Sequence, residues 1–332
     1  MQRYNRQMRF SPFGEQGQHA LSNAQLLILG AGALGSHVAE LLARMGAHHI
    51  TIVDMDIVET SNLHRQALYT EDDAQNMVPK VHAIKEHIAH INHHVDVQTY
   101  YQEITSNNIV DILNEVKPDI VIDGMDHFKI RYLINEVCHK HQIPWVYGAA
   151  VGNKGTVYGI DFKGPCLKCL LKQMPSSGES CAINGVIPTI ITQVASYEVA
   201  EVLRYLSGEG FSKKLITIDT WHIDYKAMNV DILKDHACEV CANQHYSLLE
   251  TKHQQHIESL CGRTYLFRYQ PSIFEHAHHL PCEIVKSTSF AKLIKDDDYE
   301  ITLFKDGRMN VYGIEDDEEA IKLYHSYLKA LK

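Results

Sequence analysis

The stretch Gln25-Leu26-Leu27-Ile28-Leu29-Gly30-Ala31-Gly32-Ala33-Leu34-Gly35 decides the fold class, because an apolar run leads directly into three glycines with G-x-G-x-x-G spacing. An amphipathic segment from about Ser36 to Met45 and a second apolar run, His49–Asp54, come next, so the order predicts strand, tight turn, helix and strand. Glycines let the backbone turn sharply and bring phosphates close to bare N–H groups at a helix N-terminus. Asp54 ends the second strand, where an acid can accept a hydrogen bond from a ribose hydroxyl. The stretch predicts a nucleotide site and, taken alone, favours a nicotinamide dinucleotide.

The composition narrows the classes of function. The chain has 332 residues, of which 45% are hydrophobic, enough for a large core and a smaller domain. Its formal net charge of −10 argues against broad binding to nucleic acid or to an anionic membrane, since both need a basic surface. Residues 1–7 lack the apolar core of a signal peptide, and no apolar run reaches membrane-spanning length. We therefore expect a cytoplasmic protein without nucleic-acid or membrane partners.

Segments typical of strands and helices continue to alternate after this first unit. Such alternation predicts an α/β fold with a doubly wound, mostly parallel, Rossmann-like sheet. A polar N-terminal segment with a helix over about Glu15–Ala24 precedes the sheet. The expected strands are 95–101, 119–126, 145–149, 156–162 and 215–220, and the expected helices are 80–90, 106–116, 130–141 and 187–206.

Charged and amide side chains follow the ends of two of these strands. Asp54 ends the second strand and is followed by Met55-Asp56 and by Ser61-Asn62-Leu63-His64-Arg65-Gln66. Asp126 ends the expected strand 119–126, and Lys80 opens a helix. Ligands of a doubly wound sheet bind at this edge. Each residue alone is most simply a surface or strand-end residue, but their shared position beside the glycine turn favours a phosphate-handling site.

Two C-x-x-C pairs, Cys166/Cys169 and Cys238/Cys241, follow the nucleotide half of the chain. Each pair offers two thiolates on one tight turn, and two such turns can make a closed tetrahedral zinc site. Four sulfurs leave no open coordination position, so the predicted role of the metal is structural. The 22 histidines are scattered and contain no H-E-x-x-H pattern, so none is assigned to a metal.

The character of the sequence changes after Cys241, and we place a domain boundary between residues 245 and 246. Residues 1–245 form the predicted nucleotide-binding domain, and residues 246–332 form a small α+β domain of unknown role. The second domain contains a predicted hairpin over 300–312 with an Asp-Gly turn. An acidic first turn then leads into a final helix that ends near Leu331.

The combination of these motifs resembles the ThiF/MoeB/HesA family of adenylyltransferases, which is related to the ubiquitin-activating enzymes. The resemblance covers about residues 1–243, and the C-terminal domain is similar to a tail found on some bacterial members. His127 stands where the family often has asparagine. The resemblance rests on Arg3-Tyr4-Asn5-Arg6-Gln7, the glycines at 30, 32 and 35, Asp54-Met55-Asp56, the 61–66 segment, Pro79-Lys80-Val81, Met125-Asp126 and both cysteine pairs.

The resemblance implies an ATP-dependent reaction on the C-terminal Gly-Gly carboxylate of a ubiquitin-like sulfur-carrier protein. The carboxylate attacks the α-phosphate and gives an acyl-adenylate and pyrophosphate. Because the enzyme needs no nucleophile of its own for this step, catalysis is mainly positioning and charge neutralisation. The resemblance assigns nucleotide contact to Gly30, Gly32, Gly35 and Asp56, the ribose to Asp54, the phosphates to Asn62, Arg65, Gln66 and Lys80, and magnesium to Asp126.

The resemblance also implies a homodimer in which Arg6 reaches the phosphates of the neighbouring subunit. Arg6 lies on a polar segment that has no obvious core to join in its own subunit. Cys181 lies in a small, polar loop sequence, where a reactive thiol could accept the acyl group or sulfur, or could be a spectator. The other three cysteines, Cys138, Cys261 and Cys282, are interpreted as structural.

Within the family the expected carrier is the small subunit of molybdopterin synthase, because the chain as a whole resembles molybdenum-cofactor members. The thiazole-forming sulfur carrier of thiamine synthesis is the alternative. No rhodanese-like cysteine domain is appended, so we expect the sulfur to come from a separate donor protein.

Two other classes of function compete with this interpretation. A nicotinamide-dependent oxidoreductase explains the glycine turn and Asp54, but not Arg65, Lys80 or the cysteine pairs. A non-catalytic scaffold of the same fold should lack some of the residues that bind phosphate or magnesium. In this sequence all the residues that the resemblance assigns to phosphate and magnesium are present.

Overall fold

The chain folds as two units in a computed structural model that describes residues 2–172, 185–251, 255–260, 263–280, 282–296 and 299–330. One unit comprises Met1–Asp73 and Pro79–Lys252, and the other comprises Ala74–Val78 and His253–Lys332. The first unit thus continues past residue 245. The Glu136 carboxylate accepts hydrogen bonds from the N–H groups of Leu248 and Leu249, at 3.0 and 2.9 Å, and anchors that stretch to the first unit.

The first unit is built on a central sheet. Its strands are β1 Gln25–Leu29, β2 His49–Asp54, β3 Asp96–Tyr101, β4 Ile120–Asp123, β5 Trp145–Val151, β6 Lys154–Ile160, β7 Lys214–Asp219 and β8 Asp224–Asn229. They lie in the order β3-β2-β1-β4-β5-β6-β7-β8, parallel from β3 to β5 and antiparallel from β5 to β8. The predicted α/β fold with a mostly parallel sheet is confirmed. Strand β8 is not predicted, because most of its side chains are exposed and its sequence shows no apolar alternation.

Helices cover both faces of this sheet. Along β1, Leu26 and Ile28 pack into one core and Leu27 and Leu29 into another, since successive side chains of a strand point to opposite faces. Burial on both faces explains why β1 is a continuous apolar run. The helices are α1 Asn5–Met8, α2 Gly14–Asn23, α3 Ala33–Met45, α4 Glu71–Gln75, α5 Lys80–Ile91, α6 Ile109–Val116, α7 Phe128–His141, α8 Leu167–Leu170, α9 Pro188–Leu206 and α10 Ser247–Glu250.

The second unit contains an antiparallel sheet and a C-terminal helix. The predicted hairpin and final helix are present, and Phe267, Met309 and Tyr327 lie in the core of this unit. Its strands are β9 Ile257–Ser259, β10 Thr264–Arg268, β11 Glu283–Ser287, β12 Ala291–Lys295, β13 Glu300–Phe304 and β14 Arg308–Tyr312, in the order β11-β12-β13-β14-β10-β9, and its helices are α11 Ser272–Glu275 and α12 Asp317–Ala330. In the described part of the chain, no helix combines the length and apolar character needed to cross a membrane.

Candidate nucleotide site and cysteine cluster

The glycine turn lies between β1 and α3, where the sheet order switches from β1 to its neighbours β2 and β4. Such a switch point is where doubly wound sheets bind their ligands. Gly30 has a φ of +95°, and a Cβ there would lie 2.6 Å from the carbonyl of Gly124. A Cβ on Gly35 would lie 1.9 Å from the Gly30 oxygen. Both positions therefore require glycine. With side chains at these two positions, the turn and the N-terminus of α3 could not lie this close to the sheet.

The Asp54 carboxylate joins the end of β2 to the glycine turn. Its Oδ2 accepts a hydrogen bond from the Ala31 N–H and its Oδ1 one from the Asp56 N–H, both at 2.7 Å. Burial raises the pKa of Asp54 to about 6, although the nearby Lys80 cation acts in the opposite direction. The structure thus places the predicted ribose-binding acid at the glycine turn, with a pKa raised above that of an ordinary carboxyl group.

Because Asp54 accepts hydrogen bonds best when ionised, we expect nucleotide affinity to depend on its titration. Its raised pKa, about 6, means that the ionised fraction falls as pH drops from 7 to 5, so ATP should bind more weakly at the lower pH. ATP itself also titrates in this range. The measurement is therefore the Kd of ATP across this range for wild type and for Asp54→Asn, whose side chain cannot titrate. Parallel pH profiles of the two proteins would contradict the prediction.

Lys80 and Asp56 form an ion pair beside Asp54. The Lys80 Nζ lies 2.9 Å from the Asp56 Oδ2, and the Lys80 side chain is 7% exposed against 38% for Asp56. Burial alone would lower the pKa of Lys80, but the charges of Asp56 and Asp54 outweigh it and raise that pKa. Lys80 is therefore a buried, permanent cation held next to the glycine turn.

The 61–66 segment supplies amide and guanidinium groups. Buried Asn62 accepts a hydrogen bond from the Glu59 N–H through its Oδ1 at 3.2 Å, and Arg65 donates from Nη1 to the Ser61 carbonyl at 2.7 Å. Gln66 is also buried, and its Oε1 has no hydrogen-bond partner among the described residues. Asn62 and Gln66 are thus buried in the fold, whereas the guanidinium of the half-buried Arg65 contacts a carbonyl of its own turn.

Asp126 lies on the loop between β4 and α7. Its side chain is 72% exposed, and the His127 Nε2 lies 3.7 Å from its Oδ1. The preceding Gly124 makes the close contact with Gly30 described above. The strand ends at Asp123 and not at Asp126 as the sequence predicts, so Asp126 is an exposed carboxylate on a loop that adjoins the glycine turn.

The N-terminal segment that carries Arg6 does pack against the rest of its own chain, contrary to the expectation from its polar sequence. The Tyr4 hydroxyl accepts a hydrogen bond from the Asn92 Nδ2 at 2.9 Å, and the Gln7 Nε2 donates to the Met45 carbonyl at 2.7 Å. Polar side chains make these contacts, which is why apolar patterning does not reveal them. Arg6 itself is exposed on α1.

The four predicted cysteines come together in the first unit. Their Sγ atoms all lie within 4.8 Å of one another. Three of these separations are 3.8 Å for Cys166–Cys169, 3.7 Å for Cys166–Cys238 and 3.4 Å for Cys169–Cys241. A Zn–S distance of about 2.3 Å gives a sulfur–sulfur edge of about 3.8 Å in a tetrahedron, so the cluster fits a metal of this size. Cys181 lies outside the described residues.

Two buried charged residues of this region are not found by sequence reasoning. Glu198 on α9 is fully buried, and neither carboxyl oxygen has a hydrogen-bond partner among the described residues. Burial raises the pKa of Glu198 well above its usual range, because the charged form is poorly solvated there. The second is Arg131 on α7, which pairs with Asp123 at the end of β4. In the sequence, Glu198 could be noticed only as an acid within a long apolar helix, which is a weak indication of burial. Arg131 has no local sequence feature that indicates its burial.

Comparisons with known proteins identify the family. A model of the ThiF family matches residues 4–240. The sulfur carrier protein ThiS adenylyltransferase of Bacillus subtilis (strain 168) is 34% identical over 335 residues, which cover 98% of this chain and 99% of the relative. The molybdopterin-synthase adenylyltransferase of Escherichia coli (strain K12) is 31% identical over 245 residues, 73% of this chain and 96% of the relative.

The fold agrees with this similarity. The crystal structure of E. coli MccB with ATP matches with a TM-score of 0.61 at 25% identity, and it covers 73% of this chain and 75% of that one. The family model spans more than half of the chain, and the Bacillus relative matches almost end to end. The chain belongs to the ThiF family.

Proposed function

We propose that this chain, an adenylyltransferase of the ThiF family, uses ATP to activate the C-terminal carboxylate of a ubiquitin-like sulfur-carrier protein. The observation that carries the proposal is the convergence of a glycine turn, the buried Lys80 cation and the exposed Asp126 carboxylate at one edge of the sheet. The names of the relatives support it, since they include adenylyltransferases of ThiS and of molybdopterin synthase.

In the proposed reaction, an oxygen of the carrier carboxylate forms a bond to the α-phosphorus. The bond from that phosphorus to the bridging oxygen breaks, and pyrophosphate leaves with its electron pair. No proton transfer or enzyme nucleophile is required. The phosphates are held by Lys80, Arg65, Asn62 and Gln66. Asp126 would hold a magnesium ion, which would neutralise charge on the phosphates. Asp54 and Asp56 orient the ribose side of the nucleotide.

We also propose that the cysteine cluster holds zinc with a structural role. Four thiolates suit this metal, and their tetrahedral spacing leaves no position for substrate. The two ligand pairs are far apart in sequence, so the metal would link the turn at Cys166 to the segment at Cys238. A metal in this place would stabilise the first unit without entering the reaction.

Replacing Cys238 with serine should therefore lower the zinc content and the Tm much more than the affinity for ATP. Binding free energies of structural zinc sites are on the order of 10 kcal/mol, comparable to the stability of a domain. The matched control is Cys282→Ser in the second unit, which should retain the metal. Metal analysis and thermal unfolding of both variants provide the measurement; a wild-type protein without zinc, or a stable Cys238 variant, would contradict the role.

Two sulfur carriers are candidate substrates, one from thiamine synthesis and one from molybdopterin synthesis. The near end-to-end similarity to the ThiS adenylyltransferase, which includes the second unit, favours the thiamine carrier. The molybdopterin carrier, which the sequence analysis favours, stays a candidate because the E. coli relative matches most of the first unit. In either case we propose a homodimer and a separate sulfur donor. A part for Cys181 in sulfur transfer is an open alternative to a spectator role, and adenylate formation should not need it.

The test is ATP–pyrophosphate exchange with each purified carrier. We expect exchange that requires a carrier, magnesium and an intact terminal glycine on the carrier. Comparing kcat/KM for the two carriers assigns the pathway. NADH fluorescence with the same protein tests the oxidoreductase alternative. If the protein binds NADH and shows no carrier-dependent exchange, an oxidoreductase function would be favoured instead. If it binds ATP but neither carrier supports exchange, a non-catalytic scaffold would be favoured.

A further inference from the structure

A buried ion pair lies beneath the loop that carries Asp126. Asp123, the last residue of β4, is fully buried, and Arg131 on α7 is 4% exposed. The Arg131 Nε donates to the Asp123 Oδ2 at 2.8 Å. Ion pairs at this depth lose their hydration and often add no net stability, so stability alone is a poor explanation for it.

Both members of the pair also hold the backbone of Met125. The Asp123 Oδ1 accepts a hydrogen bond from the Met125 N–H at 2.9 Å, and the Arg131 Nη2 donates to the Met125 carbonyl. The same Nη2 donates to the Gly148 carbonyl on the neighbouring strand β5 at 2.7 Å. The residue directly before Asp126 is therefore fixed at both its N–H and its C=O group.

The loop held in this way is in backbone contact with the glycine turn. The Gly124 N–H donates to the Leu29 carbonyl at 2.7 Å, and a Cβ on Gly124 would lie 2.4 Å from the Gly30 oxygen. The position of Asp126 relative to the phosphate-binding turn is thus set by residues 123–125. Any shift of this short segment moves the carboxylate that the proposed reaction needs.

Arg131 itself is enclosed by protein. Its guanidinium carbon lies 5.4 Å from the ring centroids of both Phe128 and Tyr147. Burial disfavours the charge, but Asp123 offsets this and the pKa of Arg131 stays raised, so the group remains a cation. A guanidinium closed in this way can affect the reaction only through the groups that it holds.

We propose that Arg131 is a positioning residue for adenylyl transfer, which holds Asp126 in register with the glycine turn through Asp123 and the Met125 backbone. The inference rests on the proposed function, in which Asp126 meets the magnesium ion of bound ATP. A lysine at 131 keeps the charge and can reach Asp123. Its single ammonium group lacks the planar fork that bonds a carboxylate and two carbonyls at once.

The test compares wild type with R131K and with the control R204K, whose surface arginine pairs with Glu209. The readouts are the magnesium concentration that half-saturates exchange, kcat, the KM of the carrier, zinc content and Tm. Mn²⁺ binding to the complex with a non-hydrolysable ATP analogue is measured separately by electron paramagnetic resonance. We expect R131K to need more Mg²⁺, to bind Mn²⁺ more weakly and to lose about tenfold to a hundredfold in kcat. Carrier KM and zinc content should stay near wild type, and R204K should match wild type throughout.

Unchanged magnesium dependence and unchanged Mn²⁺ binding in a folded R131K protein would overturn the inference. If R131K does not fold, D123N, which keeps the shape and removes the charge, is measured in the same way. Failure of both to fold would assign the pair to stability and would also overturn it. A wild-type protein that performs no exchange counts against the proposed function instead, and Mn²⁺ binding to the nucleotide complex then still decides the role of Arg131.

Discussion

Replacing Asp126 with alanine should abolish ATP–pyrophosphate exchange and leave the fold intact. Its carboxylate is 72% exposed and packs against no core, so its loss should cost little stability. The same carboxylate is proposed to hold magnesium against the phosphates, where charge develops in the transition state. Removing one such preorganised electrostatic group commonly costs about a hundredfold to a thousandfold in kcat.

The matched control for this experiment is Asp111→Ala, which removes an exposed acid on α6. We expect it to retain wild-type exchange, zinc content and Tm. Exchange by Asp126→Ala near the wild-type rate would remove Asp126 from the mechanism. A large fall in Tm for Asp126→Ala would show that the loop contributes to the fold, and the loss of activity would then not be interpretable as chemistry.

Complementation between inactive subunits should restore activity if Arg6 acts on the partner's nucleotide. An arginine that bonds phosphate oxygens during phosphoryl transfer is worth roughly a thousandfold or more, so Arg6→Ala and Asp126→Ala homodimers should each be nearly inactive. After subunit exchange, their heterodimer has one site that lacks both residues and one that is intact. Each heterodimer should have about half the activity of a wild-type dimer if the sites are independent, so the mixture should recover up to about half, depending on the share of heterodimers.

The reciprocal mixture provides the control. A chain with both substitutions is mixed with wild type, and each site of the resulting heterodimer then lacks one residue, so this heterodimer should be inactive. If Arg6 acts within its own chain, the two results exchange places: the first mixture stays inactive and the second keeps one intact site. Tyr4 and Gln7 fix the segment that carries Arg6 to the rest of its own chain. The exposed Arg6 side chain therefore extends from a fixed position, whether it contacts the nucleotide of its own chain or that of the partner.

The sequence predicts the parts of this structure that depend on local spacing. Gly30 has a positive φ in the tight turn, and Gly35 is required by its contact with the Gly30 oxygen, five residues away. Each C-x-x-C pair likewise brings two thiols together on one turn, as Cys166 and Cys169 show. The buried parallel strands are also predicted, because burial on both faces makes them continuous apolar runs. The alternation of these strands with helices then indicates which ends meet at the ligand edge.

Features that depend on packing between distant segments are not predicted. The Arg131–Asp123 pair forms only when α7 lies against β4, and Arg131 has the sequence context of an exposed helix residue. The partner of Lys80 is likewise evident only when α5 begins beside β2. In the second unit, β9 to β12 contain only three to five residues each, so none of them is long enough to show a clear period of two in the sequence.

The proposed formation of an acyl-adenylate on the carrier can be observed directly. The protein is incubated with magnesium, ATP labelled at the α-phosphate and a purified sulfur carrier, and label on the carrier is measured. A carrier without its terminal glycine is the control. We expect label on the intact carrier, release of that label by pyrophosphate and no labelling of the truncated carrier. If neither the thiamine nor the molybdopterin carrier acquires AMP while the protein is folded and binds ATP, carrier adenylylation is contradicted.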